Sequence, residues 1–111
     1  MSYMDERRRR RGETLEDALS YQLAACVEDE GLSAMVLADS DGLCLASWGE
    51  REICDLAAAM APLGEAVRVK FGATDLFLSA IGGEPRARDR SLSRSATAVP
   101  RILERWIVAE L

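Results

Sequence analysis

The sequence predicts an α/β protein of the α+β type: an antiparallel sheet of about four to five strands covered by helices, in the order α-β-β-α-β-β-α. Three observations predict it. Two pairs of short β-compatible runs are each joined by a glycine-bearing turn, which makes two hairpins and hence antiparallel pairing. Three longer stretches repeat their apolar residues at helical spacing. The chain of 111 residues, 49% hydrophobic and 30% charged, has room for one domain with one core, and with aromatics at 5% that core is aliphatic.

Residues 1–13 show no apolar periodicity and read as a flexible basic tail, leaving 14–111 as the folded domain. The first helix is expected from Thr14, whose hydroxyl can cap it, with Glu16 and Asp17 suited to its positive end. Leu15, Leu19, Leu23 and Cys26 share one face, Asp17, Ser20 and Glu28 lie opposite, and Gly31 supplies the stop. A strand over Leu32–Ala38 and a second over Leu43–Ser47 flank Asp39-Ser40-Asp41-Gly42, where Gly42 accepts the positive φ that a tight turn demands. Trp48-Gly49 closes this hairpin.

The second helix runs from Glu50 to about Ala61, with Pro62 and Gly64 marking its end. Val67, Val69 and Phe71 alternate with Arg68 and Lys70, the period of a half-buried strand. The turn Gly72-Ala73-Thr74-Asp75 leads to a partner strand over Leu76–Ile81, which Gly82-Gly83 ends. Glu84–Arg90 reads as an arginine-rich loop. In the last helix Leu92, Ala96, Val99, Ile102, Leu103 and Trp106 cluster on one face. Pro100 removes the N–H that would bond the Ala96 carbonyl, so a kinked or interrupted helix is expected.

Composition excludes several classes of chemistry. There is no histidine, which removes the commonest general base and the commonest metal ligand. No phosphate-binding glycine loop occurs. Cys26, Cys44 and Cys54 have no paired spacing and are expected to be reduced, small buried or semi-buried hydrophobes in a cytoplasmic protein. The acidic turn at 39–42 lacks the ligand count of a calcium loop and reads as a plain hairpin turn. The expectation is a non-enzymatic chain with no cofactor and no metal. No apolar run approaches the roughly 20 residues of a membrane span.

Charge is unevenly spread. Residues 14–84 carry three basic against thirteen acidic side chains, whereas 85–111 carry six arginines against three acids. The acidic middle argues against nucleic acid as a partner. The run Arg7–Arg11 could meet nucleic acid, a membrane surface or an acidic partner, but short terminal runs of this kind are most often solvated tails.

The element order and several strings resemble the roadblock (dynein light-chain roadblock-type) domain family. The carriers are a first helix ending in Glu30-Gly31, then Ser33-Ala34-Met35-Val36-Leu37-Ala38-Asp39, then Asp41-Gly42 leading to Leu43-Cys44-Leu45-Ala46-Ser47, and Arg101-Ile102-Leu103 in the last helix. The resemblance spans roughly residues 14–108 and implies a roadblock/profilin-like sheet. It also implies a module that homo- or heterodimerises, serves as a scaffold and, in bacteria, often regulates small Ras-like GTPases, some members as GTPase-activating partners. There is one departure. Family members usually have three strands between the second and third helices, and only two are evident here. Either an irregular edge strand lies near residues 62–66 or the domain is trimmed. A small-ligand-sensing domain of PAS or GAF type is the alternative, though the chain is short of strands for it.

Within the second helix, Ile53, Leu56, Ala57 and Met60 gather on one side, expected to face the sheet. Cys54, Ala58 and Ala61 form a second side of small residues only, expected to pack against the same face of a symmetry mate in a homodimer. Trp48, Arg86, Arg88 and Arg90 are the candidate contacts to a GTPase or scaffold partner.

Overall fold

The computed structural model describes residues 14–64 and 66–110. The element order is α1 (Leu15–Glu30), β1 (Ala34–Ala38), β2 (Cys44–Trp48), α2 (Arg51–Met60) with a following 3-10 turn at Ala61–Leu63, β3 (Val67–Phe71), β4 (Thr74–Ile81) and α3 (Pro85–Glu110). The expected tail at 1–13 lies outside the described residues.

Local chemistry explains the boundaries. Thr14 Oγ1 accepts from the Asp17 N–H at 3.1 Å and the Asp17 carboxylate accepts from the Thr14 N–H at 3.2 Å, a reciprocal cap on α1 worth about 1 kcal/mol. In the first hairpin the Asp39 carboxylate accepts from the backbone N–H groups of Asp41 (2.8 Å) and Leu43 (3.0 Å). One acidic side chain thereby takes up two donors that the reversal of the chain would leave unpaired. Gly42 sits in this turn at φ 83°. A Cβ there would lie 3.2 Å from Ala59 Cα, because the turn abuts the backbone of α2.

All pairs are antiparallel and the four strands lie in the order β2-β1-β4-β3. β1 is central and buried along its whole length, so it reads as a continuous apolar run instead of an alternating one. Its two faces serve two cores. Met35 and Leu37 join Leu19, Leu23, Val69, Leu78 and Val99 beneath α1 and α3. Ala34, Val36 and Ala38 join Phe77 beneath α2. The domain is a helix–sheet–helix sandwich with unequal layers: two long helices on one face, one short helix on the other.

Three expectations are corrected, and one open alternative is decided: among the described residues no strand forms between α2 and β3. The chain there makes the turn Ala61–Leu63, where Pro62 lacks the N–H a ladder requires. The second hairpin turn is tighter than expected, since Thr74 and Asp75 already pair with Phe71 and Lys70. The segment from Pro85 to Arg90 is not a loop but the first turns of α3, because proline's fixed φ suits the first helical position. Finally, of the kinked or interrupted helix expected at Pro100, the interruption is absent: α3 runs continuously from Pro85 to Glu110.

The core stripe of α3 contains residues that apolar periodicity overlooks. Ala87, Ser91, Ser95 and Val99 repeat every fourth residue and are all buried. Against the serines packs Cys26, whose thiol lies 3.5 Å from Ser95 Oγ. Small side chains at this spacing let α1 and α3 approach closely. Among the described residues, no helix is long and apolar enough to cross a membrane.

Candidate functional site

The side chains of α2 are distributed opposite to expectation. Cys54, Ala58 and Ala61 are 1%, 1% and 4% exposed, packed on Ala34, Val36, Ala38 and Phe77 of the chain's own sheet. They cannot present a surface to another protomer. The physics of small residues holds, but their close neighbour is the sheet. Short side chains on both layers, with Gly42 against Ala59, bring the helix down onto β1. Larger residues could be buried at that separation only by overpacking.

The consequence is an outer face of large apolar side chains. Leu56 is 62% exposed, Met60 57% and Ile53 37%, and Leu63, just past the helix, is 87%. At either end of the edge strand β2, Leu43 and Trp48 are also exposed. Isolated exposed leucines need no explanation, but a helix whose outward positions carry isoleucine, leucine and methionine in register is the usual mark of an interaction surface. Arg51 and Asp55, 3.9 Å apart, give this helix a polar flank.

The other candidate contacts fare differently. Trp48 is exposed at the end of β2, immediately before α2. Arg88 donates to the carbonyls of Gly82 (3.1 Å) and Gly83 (2.7 Å), so its guanidinium closes the end of β4. Arg90 forms an ion pair with Glu30 at 2.7 Å, which ties α3 to α1 and raises the guanidinium pKa through that hydrogen bond. Arg86 is exposed and makes no ion pair among the described residues. The four residues therefore do not converge on one site.

The cysteines are free thiols, Cys26 and Cys54 buried and Cys44 partly so. Burial pushes the Cys54 thiol above its ordinary pKa, only partly offset by a hydrogen bond from Ser47, which disfavours the reactive thiolate. Iodoacetamide is accordingly expected to modify Cys44 in the native protein and Cys26 and Cys54 only after denaturation, read by peptide mass mapping. Native labelling of Cys54 at the Cys44 rate would show that α2 does not stay on the sheet. Among the described residues, no group of three or more His, Cys, Asp or Glu side chains is placed to hold a metal ion.

The architecture has solved counterparts. A solved structure of MglB with a tetrameric arrangement superposes with a TM-score of 0.58 at 17% identity, covering 83% of this chain and 92% of that one. A Roadblock/LC7 domain from Streptomyces avermitilis gives 0.59 at 16% identity, covering 77% and 97%. This chain is folded as a roadblock-type domain. A third roadblock-fold relative, the gliding protein MglB of Thermus thermophilus, gives 0.57 at 17% identity over 83% of this chain and 93% of that one. No family model matches the sequence, and no curated protein matches it. Identity this low leaves the roadblock fold legible in the order of elements rather than in shared residues.

Proposed function

We propose that this roadblock-type domain is a non-catalytic, dimeric interaction module that scaffolds or regulates a small Ras-like GTPase, with the outer face of α2 as its dimer surface. The carrying observation is the row Ile53, Leu56 and Met60, which leaves large apolar side chains in water on a helix whose other side already fills the core. Burying one such side chain in a two-fold interface would contribute about 1.5–3 kcal/mol, and a two-fold axis matches one patch to itself. The GTPase rests on the family resemblance read from the first hairpin and on likeness of fold to the MglB structures.

The test is capture from native lysate of the source organism, with the bound proteins identified and the GTP hydrolysis of any captured small GTPase measured with and without this chain. A small GTPase whose hydrolysis changes is the expected result. Capture that contains no GTPase would leave a scaffold of another complex and overturn the GTPase assignment.

A further inference from the structure

A second surface lies away from α2, in the groove between α1 and α3. At 100° per residue, Arg90, Arg94, Arg101 and Arg105 fall within about 60° of arc, a straight stripe along α3. The first half of this stripe is already neutralised from α1: Arg90 pairs with Glu30 at 2.7 Å and Arg94 with Asp29 at 3.2 Å. Beyond that point, among the described residues, the pairing stops. The α1 positions in line with Asp29 are Ala25, Gln22 and Ala18, none of which carries a charge. Arg101 and Arg105 are exposed and make no ion pair among the described residues. They line, with Arg94, Gln22, Ala98 and Ile102, a groove of about 610 Å³.

Helix stability does not account for this pair. Like charges four residues apart repel. The C-terminal dipole favours cations only within the last turn, and Arg101 lies more than two turns from the end of α3 at Glu110. We infer that the α1–α3 groove binds an acidic amphipathic segment of a partner protein, its carboxylates on Arg101 and Arg105 and an apolar side chain on Ala98 and Ile102. Carboxylates are what the same stripe accepts within the chain, from Glu30 and Asp29. Ala98 and Ile102 give the groove an apolar strip between its polar side chains, and none of its lining residues is aromatic, so it lacks the aromatic platform on which single-stranded nucleic acids stack. This surface is independent of the α2 face and of any GTPase.

The experiment uses the full chain and a fluorescein-labelled helical peptide carrying glutamates four residues apart around a leucine, read by anisotropy at low salt. Arg101→Glu/Arg105→Glu is expected to weaken binding about tenfold or more, with Arg105→Gln intermediate. Arg68→Glu/Lys70→Glu, an equal change of net charge at exposed positions of β3, should stay within about twofold of wild type by the same electrostatic argument. Circular dichroism confirms that each variant is folded. Equal weakening by both double variants, or equal binding of a peptide with glutamine in place of glutamate, would refute the groove as an acid-recognising site. Phosphatidylserine vesicles that bind through Arg101 and Arg105 while the peptide does not would also overturn it, in favour of a membrane surface.

Discussion

Ala58→Arg is expected to unfold the domain. Ala58 is 1% exposed and packed between α2 and the central strand, beside Val36 and Ala38. An arginine there has neither the volume to fit nor a carboxylate to meet, and a buried unpaired charge together with overpacking costs several kcal/mol. Against a total stability of about 5–15 kcal/mol for a domain, that is most of the margin. Urea denaturation followed by circular dichroism should show a midpoint shifted far down or no folded baseline. A variant that keeps the wild-type midpoint would mean that the small face of α2 does not lie on the sheet. The conservative partner is Ala58→Gly, which removes only a methyl group and costs roughly 1 kcal/mol in helix propensity.

Leu56→Arg should do the opposite: keep the fold and abolish self-association. Leu56 is 62% exposed, so a long cation can stay in water and protomer stability should change by no more than about 0.5 kcal/mol. In a two-fold dimer through α2 the same substitution would set two arginines against each other at the contact. A loss of about 2 kcal/mol or more at such a position corresponds to about a 30-fold rise in the dimer dissociation constant. Sedimentation equilibrium of wild type and variant measures this directly. A dimer with unchanged affinity in the variant, or a wild type that is monomeric at high micromolar concentration, would remove α2 as the interface.

These two substitutions differ only in which side of one helix they touch, and that side is where the chain's local code ends. Thr14 with Asp17 states a helix start in four residues, because both hydrogen bonds of the cap are local. Asp39-Ser40-Asp41-Gly42 states a turn in the same way: the Asp39 carboxylate reaches only two and four residues along, and Gly42 supplies its positive φ. The alternation of Val67, Val69 and Phe71 with Arg68 and Lys70 announces a strand with one wet face. For the cap and the turn, the energy that selects the conformation is made within the segment itself, whereas the strand's alternation marks the face that its partners bury. The order of the elements, and hence the roadblock fold, follows from them.

Residues of α2 carry no such instruction. Ile53, Leu56 and Met60 form a good apolar face and Cys54, Ala58 and Ala61 another, and amphipathic spacing alone favours burying the larger. The choice was made at a distance. β1 offers Ala34 and Ala38 on that side, and the Gly42 turn presses on Ala59, so the helix comes close enough to the sheet that it contributes only short side chains to that layer. Likewise Ser91 and Ser95 look polar in isolation, yet they are buried because Cys26 and Ala87 leave room for a close helix crossing and nothing larger. Arg88 and Arg90, legible in sequence only as surface cations, are committed to the Gly82 and Gly83 carbonyls and to Glu30. By itself the sequence determined the order of helices, strands and turns and the bounds set by local caps and turns, since capping, turn chemistry and periodicity act over a few residues, although it missed the start of α3 at Pro85 and the tightness of the second hairpin turn. Which face of α2 is core and which arginines remain unpaired among the described residues was decided by tertiary packing, because layer separation and charge partnership depend on residues as far as 69 positions apart in the chain.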